Sequence, residues 1–455
     1  MRQIILYIAI ILATGCTKLI EVKAPVDQLV SSTIYQDSST AQAAIYGLYS
    51  EMYNAINSNA AGSVFGYRIT TLPARSADEL ISVQNTFDNF YTNSLVPTDF
   101  DVSEMWSMPY NFIYIANSVI EGVEGSPLSA TLKQQLMAEA KFARAFCHFY
   151  LVNYFGKIPL ITTTKVSESN TAPAAEIKDV YAQIVKDLTD ARDGLAADYH
   201  WSGGDRTRVN NAAASAMLAR VYLYLGEWSQ AETEATKVIS NTSLYTLLTD
   251  PGEVFLANSQ EAIWQFYSNA NGFTYEARQL VPTGVGVPTY ALNEHLYHAF
   301  EPDDLRKINW IDSVNVLGTY YTYPKKYRSI VNTNAEYETV LRLGEQYLIR
   351  AEARARQEKV GEAQDDLDAI RNRANLPPTV ANDKSSLLLA IEHERQVELF
   401  CEWGHRWLDL KRTGRATAVL APVKGAGWQS TDVLYPIPQA AINTNTNLDQ
   451  NEGYH

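Results

Sequence analysis

Two stretches of the chain share a pattern of small residues: NNAAASAMLARVYLYLGEWSQAETEATKVI, residues 210–239, and ETVLRLGEQYLIRAEARARQEKVGEAQDDLDAI, residues 338–370. The aligned positions are Ala219 with Ala351, Ala231 with Ala363, Ala235 with Leu367, and Val238 with Ile370. Alanine at these spacings lets two antiparallel helices approach closely, so each stretch is predicted to form a helical hairpin. Gly226 suits the tight turn of the first copy, where the second copy has Glu358.

Helical periodicity extends over most of the chain. The stretches with apolar residues at helical spacing are 39–57, 104–124, 131–155, 176–195, 210–225, 229–240, 337–357, 361–374 and 384–400. Strand-like alternation is confined to 262–267 and a stretch near 319–328, while residues 58–104 and 242–335 lack sustained periodicity. We therefore predict a mostly α fold, in which tetratricopeptide-type helical hairpins form a scaffold for an irregular, loop-rich region with few short strands.

The composition limits the class of ligand. The 455-residue chain has a formal net charge of −14, which argues against a nucleic acid partner because phosphate binding needs a positive field. A neutral ligand fits this charge better than a polyanion does. The chain also contains 28 Tyr and 8 Trp. The rings of Tyr and Trp carry a polar O–H or N–H group, which suits interfaces and sites where a ring stacks on a sugar. Packing in the core is the alternative for each of them.

The first fifteen residues, MRQIILYIAIILATG, have the form of a signal peptide. A basic residue precedes an apolar core at 4–12, which is too short to span a bilayer. Small residues lead into Cys16, whose thiol suits lipidation, so residues 1–15 are predicted to be a lipoprotein signal peptide. The lipobox departs from the usual pattern, because Leu12 stands at position −4 and Ala13 at −3. An ordinary secretory signal beside a chance cysteine is the alternative.

Motifs of the common enzyme classes are missing from the sequence. His393-Glu394 begins like a zinc-binding HExxH motif, but Val397 occupies the position of the second histidine. Seven His without metal-ligand spacing predict no metal and no cofactor, although calcium held by Asp and backbone oxygens stays open. Cys147 and Cys401 are interpreted as buried apolar residues, with a disulfide between them as the alternative.

Three segments identify the chain most specifically: AEAKFARAFCHFYLVNYFGKIPLI (residues 138–161), ERQVELFCEWGHRWLDLKRTG (394–414) and LYPIPQAAINTNTNLDQNEGY (434–454). All three resemble the SusD/RagB family of surface nutrient-binding lipoproteins of Bacteroidetes. The resemblance implies a single SusD-like domain over 16–455, with an N-terminal part (about 16–260) packed against a C-terminal part (about 261–455). It also implies a lipid-anchored protein at the outer membrane that faces the cell exterior.

The family resemblance implies a function without catalysis. Its members bind an oligosaccharide or polysaccharide, or in some cases a peptide or other nutrient, and deliver it to a TonB-dependent SusC-like β-barrel transporter. A surface glycoside hydrolase is one alternative, because carboxylate pairs such as Asp303-Asp304 could flank a cleft. A repeat-type scaffold without its own small ligand is the other alternative.

In this family the ligand contacts lie on the irregular face, and they vary between members. The residues there whose rings suit stacking on a sugar, or whose polar groups suit its hydroxyls, are Asp78, Asn85, Phe87, Asn89, Tyr91, Trp264, Tyr267, Tyr290, Trp310, Tyr320 and Tyr321. Core packing is the alternative for every ring. Trp106 and Tyr110 lie in a helical pattern and are predicted to be core.

Polar residues of the identifying segments are predicted to hold the fold together. Arg144 lies among apolar neighbours and needs a carboxylate partner. Glu394, Arg395 and Glu398 lie at helical spacing and are predicted to form buried ion pairs between helices. Residues 434–454, with two prolines and several asparagines, are predicted to form an extended strap over the body of the protein.

Overall fold

The computed structural model describes residues 34–54, 62–85, 87–268, 272–284, 286–331, 333 and 335–454. Cys16 and the predicted signal peptide lie outside these residues. Seventeen α-helices and eight short strands occur in the described part of the chain, so the prediction of a mostly α fold is confirmed. None of the helices described there combines the length and the apolar character that a membrane crossing requires.

Within the described residues the strands form only two-stranded sheets, and most of the elements are helices. The helices are α1 (Ser38–Asn54), α2 (Ile69–Ser76), α3 (Phe100–Glu124), α4 (Ala130–Phe155), α5 (Val166–Ser169), α6 (Ile177–Gly194), α7 (Asn211–Leu225), α8 (Trp228–Ile239), α9 (Tyr275–Leu280), α10 (Glu294–Ala299), α11 (Leu305–Trp310), α12 (Leu343–Arg356), α13 (Val360–Arg373), α14 (Lys384–Glu398), α15 (His405–Arg412), α16 (Ala416–Lys424) and α17 (Gln439–Thr444). The strands are β1 (Leu80–Ser82), β2 (Ile158–Pro159), β3 (Ala174–Ala175), β4 (Ala262–Phe266), β5 (Tyr290–Leu292), β6 (Ile311–Val316), β7 (Thr319–Pro324) and β8 (Glu338–Arg342).

The long helices form one continuous stack. In chain order, α3 packs on α4, α4 on α6, α6 on α7, α7 on α8, α8 on α12, and α12 on α13. The aligned repeat positions are completely buried at the contacts: Ala219, Ala231, Ala235, Val238, Ala351, Ala363, Leu367 and Ile370. Gly226 turns the first hairpin with a φ of 74°, and Glu358 adopts a φ of 63° at the matching place. The second hairpin therefore makes the same left-handed turn without the glycine that would adopt it most easily.

Three helices of the stack begin at a residue whose side chain accepts a free backbone N–H group. Asp99 caps α3, Ser129 caps α4 and Asn210 caps α7, each through a side-chain oxygen that accepts from a backbone N–H. At the other end of α4, Gly156 adopts a φ of 75°, which stops the helix.

The strands pair in two-stranded ribbons, all antiparallel: β1 with β5, β2 with β3, β4 with β8, and β6 with β7. Both predicted strand regions are confirmed by β4 and β7. The prediction of one helix over 337–357 is wrong at its start, because residues 338–342 form β8 and the helix begins at Leu343. These residues form a strand because they pair with β4, which lies about 75 residues earlier in the chain. The spacing of apolar residues within the segment gives no information about that partner strand.

Buried ion pairs tie the helices together, as predicted. Arg144 donates two hydrogen bonds to Asp187, at 2.8 and 2.7 Å. Glu398 accepts from Arg306, Arg342 and Arg373. Burial raises the pKa of Glu398, but these guanidinium groups outweigh it and hold the pKa well below its ordinary value. The carboxylate is therefore ionised in the interior, where it connects three elements.

Residues 434–454 form the predicted strap, with the short helix α17 inside it. The strap closes the C-terminal end of α4, whose last carbonyl groups have no partner within the helix. The Tyr154 carbonyl accepts from the Tyr435 N–H at 2.8 Å, and the Phe155 carbonyl accepts from the Asn451 amide at 3.0 Å. The ring of Tyr435 is completely buried and stacks on Tyr154, with ring centroids 5.2 Å apart.

Candidate functional site

A surface-exposed segment follows strand β1 on the irregular face. Pairing of β1 with β5 places Ser82 opposite Tyr290. Beyond β1 the chain turns: the Asn85 N–H donates to the Ser82 hydroxyl at 3.3 Å, and the Phe87 N–H donates to the Asn85 side chain at 3.0 Å. This local bonding turns the Phe87 side chain into solvent, where 87% of its surface is exposed. A ring so exposed contributes little to the core and is available to a ligand.

Arg75 holds this segment against Tyr290. Its guanidinium carbon lies 5.1 Å from the centre of the Tyr290 ring and 5.3 Å from that of Phe90, within cation–π range. Its Nη1 donates to Asp88 at 2.7 Å. Burial lowers the pKa of Arg75, but the Tyr290 hydroxyl and the Asp88 carboxylate raise it above its ordinary value overall. The charge on Arg75 is therefore kept and neutralised by Asp88, while the arginine fixes the position of Tyr290.

Lys424, at the end of α16, anchors the same segment at Tyr91. Its ammonium group donates to the Arg75 carbonyl at 2.6 Å and to the Tyr91 carbonyl at 2.8 Å, and it lies 4.2 Å from the centre of the Tyr91 ring. Burial lowers the pKa of Lys424 to about 7, against the opposing effect of Asp78 and Asp88. The part of the segment at 88–91 is thus held by two cations, Arg75 from the preceding helix α2 and Lys424 from 333 positions further along the chain.

The β6–β7 hairpin lies beside β5 and adds two further rings near this surface. Tyr320 is 73% exposed and Tyr321 is half-buried. We call the surface formed by Asn85, Phe87, Asn89, Tyr91 and Tyr290 the aromatic shelf, with the hairpin tyrosines at its border. Its rings can stack on an apolar face of a ligand, and its Asn side chains can bond to hydroxyl groups.

Three of the predicted ligand residues lie in the interior instead. Trp264 and Trp310 are completely buried, and the indole N–H of Trp310 donates to the Pro251 carbonyl at 2.8 Å. Asp78 is buried and accepts two hydrogen bonds from Arg406, at 2.8 and 2.7 Å. These side chains present no surface to a ligand in this structure, because Trp264 packs edge-on against aromatic rings of α4 and Asp78 neutralises a buried arginine. Core packing, the alternative considered for every ring, describes both tryptophans.

Tyr267 is exposed but lies apart from the aromatic shelf. Its ring contacts that of Tyr337, with centroids 4.8 Å apart, and 52% of its surface faces solvent. Trp106 is buried, as predicted, and Tyr110 packs against the core with its hydroxyl donating to the Pro159 carbonyl at 2.9 Å.

Arg75, Asp88 and Lys424 position the aromatic shelf, and sequence reasoning missed all three. Asp88 lies between Phe87 and Asn89, which were both predicted to contact a ligand, so the sequence already pointed to this stretch. Arg75 and Lys424 are separated by 349 positions, and no local pattern connects them.

Neither a metal centre nor a disulfide is found in the described part of the chain. No group of three His, Cys, Asp or Glu side chains there is placed to hold a metal ion. Cys147 and Cys401 are free and buried, so their interpretation as buried apolar residues is confirmed. Burial raises the pKa of both thiols well above the ordinary value, which leaves them protonated.

Two family models match this chain. Residues 30–223 match a model described as starch-binding and associating with the outer membrane, and residues 306–454 match the model of the SusD family. A SusD-like protein of Formosa agariphila is 27% identical over an alignment that covers 99% of each chain. The starch-binding protein SusD of Bacteroides thetaiotaomicron is 28% identical, with 74% of this chain and 76% of that protein covered. A second Formosa agariphila relative, also 27% identical, is matched over 58% of this chain and 51% of its own length, so that alignment spans about half of the relative.

Solved structures share the fold over nearly the whole chain. A SusD superfamily protein of Bacteroides vulgatus superposes with a TM-score of 0.80 at 21% identity, covering 92% of this chain and 100% of that one. A laminarin-binding SusD-like protein superposes with a TM-score of 0.75 at 25% identity, covering 92% and 99% of the two chains.

Proposed function

The chain belongs to the SusD/RagB family, and we propose that it binds an oligosaccharide or polysaccharide at the aromatic shelf without catalysing a reaction. The observation that carries the proposal is the ring of Phe87, which is 87% exposed, together with the half-buried ring of Tyr290, which Arg75 holds in place. A ring fixed before the ligand arrives loses little conformational entropy on binding. Asn85 and Asn89, exposed beside the rings, supply donors and acceptors for hydroxyl groups.

The comparisons support a neutral glycan as the ligand. One relative is named for starch binding and one solved structure for laminarin binding, and both ligands are uncharged glucose polymers. The aromatic shelf suits such a ligand, because Asp88 neutralises Arg75 and leaves aromatic rings and amides as the exposed groups.

The proposed role extends to uptake. We propose that Cys16 carries a lipid anchor after removal of residues 1–15, and that the protein faces the cell exterior at the outer membrane. There it would deliver its ligand to a TonB-dependent SusC-like transporter. One matching family model is described as associating with the outer membrane, which supports this location. Cys16→Ala is expected to move the protein out of the membrane fraction, and mild-detergent extraction of the wild type is expected to recover a large β-barrel partner.

Titration calorimetry with a panel of neutral oligosaccharides tests the binding proposal. Phe87→Ala with Tyr290→Ala should weaken binding about tenfold or more, which corresponds to about 1.4 kcal/mol. Tyr267→Ala is the matched control, because its ring is exposed but lies apart from the aromatic shelf, and its affinity should equal that of the wild type. Equal affinity of all three proteins would contradict the proposal. Reducing ends released by purified protein would contradict the absence of catalysis.

A further inference from the structure

A concave surface lies between α3, the segment 159–170, which contains α5, and the strap. We call it the lateral groove. Its volume is about 650 Å³, which is in the range of ligand pockets. It shares no lining residue with the aromatic shelf. Its strap wall is fixed by Asn445, whose amide donates to the Ala172 carbonyl at 2.7 Å.

One face of α3 supplies two parallel rows of side chains to the lateral groove. Residues four positions apart lie above one another on a helix, about 6 Å apart along its axis. The first row is aromatic: Trp106, Tyr110 and Tyr114. The second row is polar and uncharged: Ser103, Ser107 and Asn111. The rings of the first row rise from a buried Trp106 at the floor to Tyr114 at the rim, which is 51% exposed.

The polar row keeps groups available for a ligand. Ser107 and Asn111 are exposed, and neither side chain forms a hydrogen bond with another of the described residues. A ligand that lies along α3 would therefore meet rings on one side and hydroxyl and amide groups on the other. The step of about 6 Å between successive side chains is similar to the length of one pyranose unit in an extended chain.

The lateral groove is electrically neutral. Of the 17 described residues that line it, none is Asp, Glu, Lys, Arg or His. In the whole chain, Asp, Glu, Lys and Arg together make up 19% of the residues. Charged ligands and most nucleotide or phosphate ligands would find no counter-charge there. The walls include Pro438 and Leu448, so the ligand must also offer apolar surface.

We infer that the lateral groove is a second binding site for a neutral oligosaccharide, which would stack on Tyr110 and Tyr114 and bond to Ser107 and Asn111. This inference rests on the proposed function, since it assigns the same class of ligand to a different surface. A second site on one chain would raise the avidity for a long polysaccharide without any new contact at the aromatic shelf.

Calorimetric stoichiometry separates the two sites, with maltohexaose and laminarihexaose as probes. The wild type is expected to bind two molecules of the preferred hexasaccharide. The groove variant, Asn111→Ala with Tyr114→Ala, should bind one, as should the shelf variant, Phe87→Ala with Tyr290→Ala. The four substitutions together should abolish binding. Both groove residues are exposed, so the variant should keep the melting temperature of the wild type, and Tyr267→Ala is again the control.

The outcomes distinguish the inference from the proposed function. A groove variant with the stoichiometry and affinity of the wild type overturns the inference and leaves the function standing. Loss of all binding in the groove variant, with the shelf variant unchanged, supports the lateral groove and contradicts the aromatic shelf. A wild type that binds neither probe nor any other neutral glycan overturns both. A concentration-dependent dimer that Tyr114→Ala abolishes, with no effect on saccharide binding, also overturns the inference and assigns the groove to self-association.

Discussion

Arg220 and Glu345 lie 125 positions apart in the chain and are joined by two hydrogen bonds of 2.7 Å. Arg220 belongs to α7 in the first repeat and Glu345 to α12 in the second, and both side chains are fully buried. Burial lowers the pKa of Arg220, but Glu345 and Tyr150 raise it overall, so the guanidinium stays charged. The bidentate pair ties the two repeat hairpins together in an interior from which water is excluded.

Removal of one partner from this pair should therefore be costly. Arg220→Ala is expected to lower the free energy of unfolding by about 3–5 kcal/mol, because it leaves Glu345 buried without a counter-charge. Urea denaturation measures the change. The control is Lys165→Ala, which removes an exposed pair with Glu168 and should cost less than about 1 kcal/mol. Arg220→Met with Glu345→Leu should recover most of the loss, and equal effects of the buried and exposed changes would refute the argument.

Glu79 should make stability depend on pH. Burial and the neighbouring Asp78 raise its pKa from 4.5 to about 8. Between these values the native state holds a proton that the unfolded chain has released. The stability that Glu79 contributes is therefore fully present below pH 4.5 and is lost as the pH rises through 8.

Glu79→Gln cannot ionise and should keep that contribution. We expect its free energy of unfolding to exceed that of the wild type by about 1–3 kcal/mol at pH 9, with little difference at pH 4.5. Urea titrations at both pH values give the comparison, and Glu452→Gln, which alters an exposed carboxylate of the strap, is the control. Parallel pH profiles for Glu79→Gln and the wild type would show that Glu79 ionises normally.

Asn451 should be important for closing the strap. Its amide donates to the carbonyls of Phe155 and Tyr435, at 3.0 and 2.7 Å. Asn451→Ala is expected to lower the free energy of unfolding by about 1–3 kcal/mol and to speed proteolysis within 434–454, because the Phe155 carbonyl at the end of α4 loses its donor. The neighbouring substitution Glu452→Ala should change neither quantity. Unchanged proteolysis of Asn451→Ala would mean that other contacts alone hold the strap.

The turn of the β6–β7 hairpin offers a stabilising substitution. Leu317 has a φ of 52° and Gly318 a φ of 93°, and the Leu317 side chain is entirely exposed. The left-handed region disfavours leucine, whereas Asn-Gly is the preferred pair for a two-residue hairpin turn. Leu317→Asn should raise the free energy of unfolding by about 0.5–1 kcal/mol in urea denaturation. Leu317→Val, which is branched at Cβ, should lower it, and the reverse order would exclude strain at this residue.

The helical scaffold could be predicted because its determinants are local. Alanines such as Ala219 and Ala351 repeat at fixed spacing, and each predicted helix has its own periodicity and its own ends. The failure at 338–342 has the opposite cause, since that segment becomes a strand only because β4 lies next to it. The pattern of apolar residues within a segment gives no information about a strand that pairs with it from elsewhere in the chain.

The candidate site was only partly predictable for the same reason. Phe87 and Tyr91 stand in a stretch whose local turns expose it, and composition alone pointed there. Trp264 looks equally suitable in the sequence, but its exposure depends on packing against Phe142 and Phe146, which are more than a hundred residues away. The assembled fold decides whether an aromatic ring is exposed to a ligand or buried in the core. The sequence of a single chain does not show which of the two applies.

The strap also sets the order in which the protein can fold. A polypeptide is synthesised from its N-terminal end, and Asn451 follows Phe155 by 296 positions. The stack from α3 to α8 can form early, but the C-terminal end of α4 stays open and the cavity for Tyr435 stays empty until most of the chain has been made. Contacts of such long separation form slowly. The C-terminal end of α4 therefore gains its last hydrogen-bond donors only after residues 434–454 have been made.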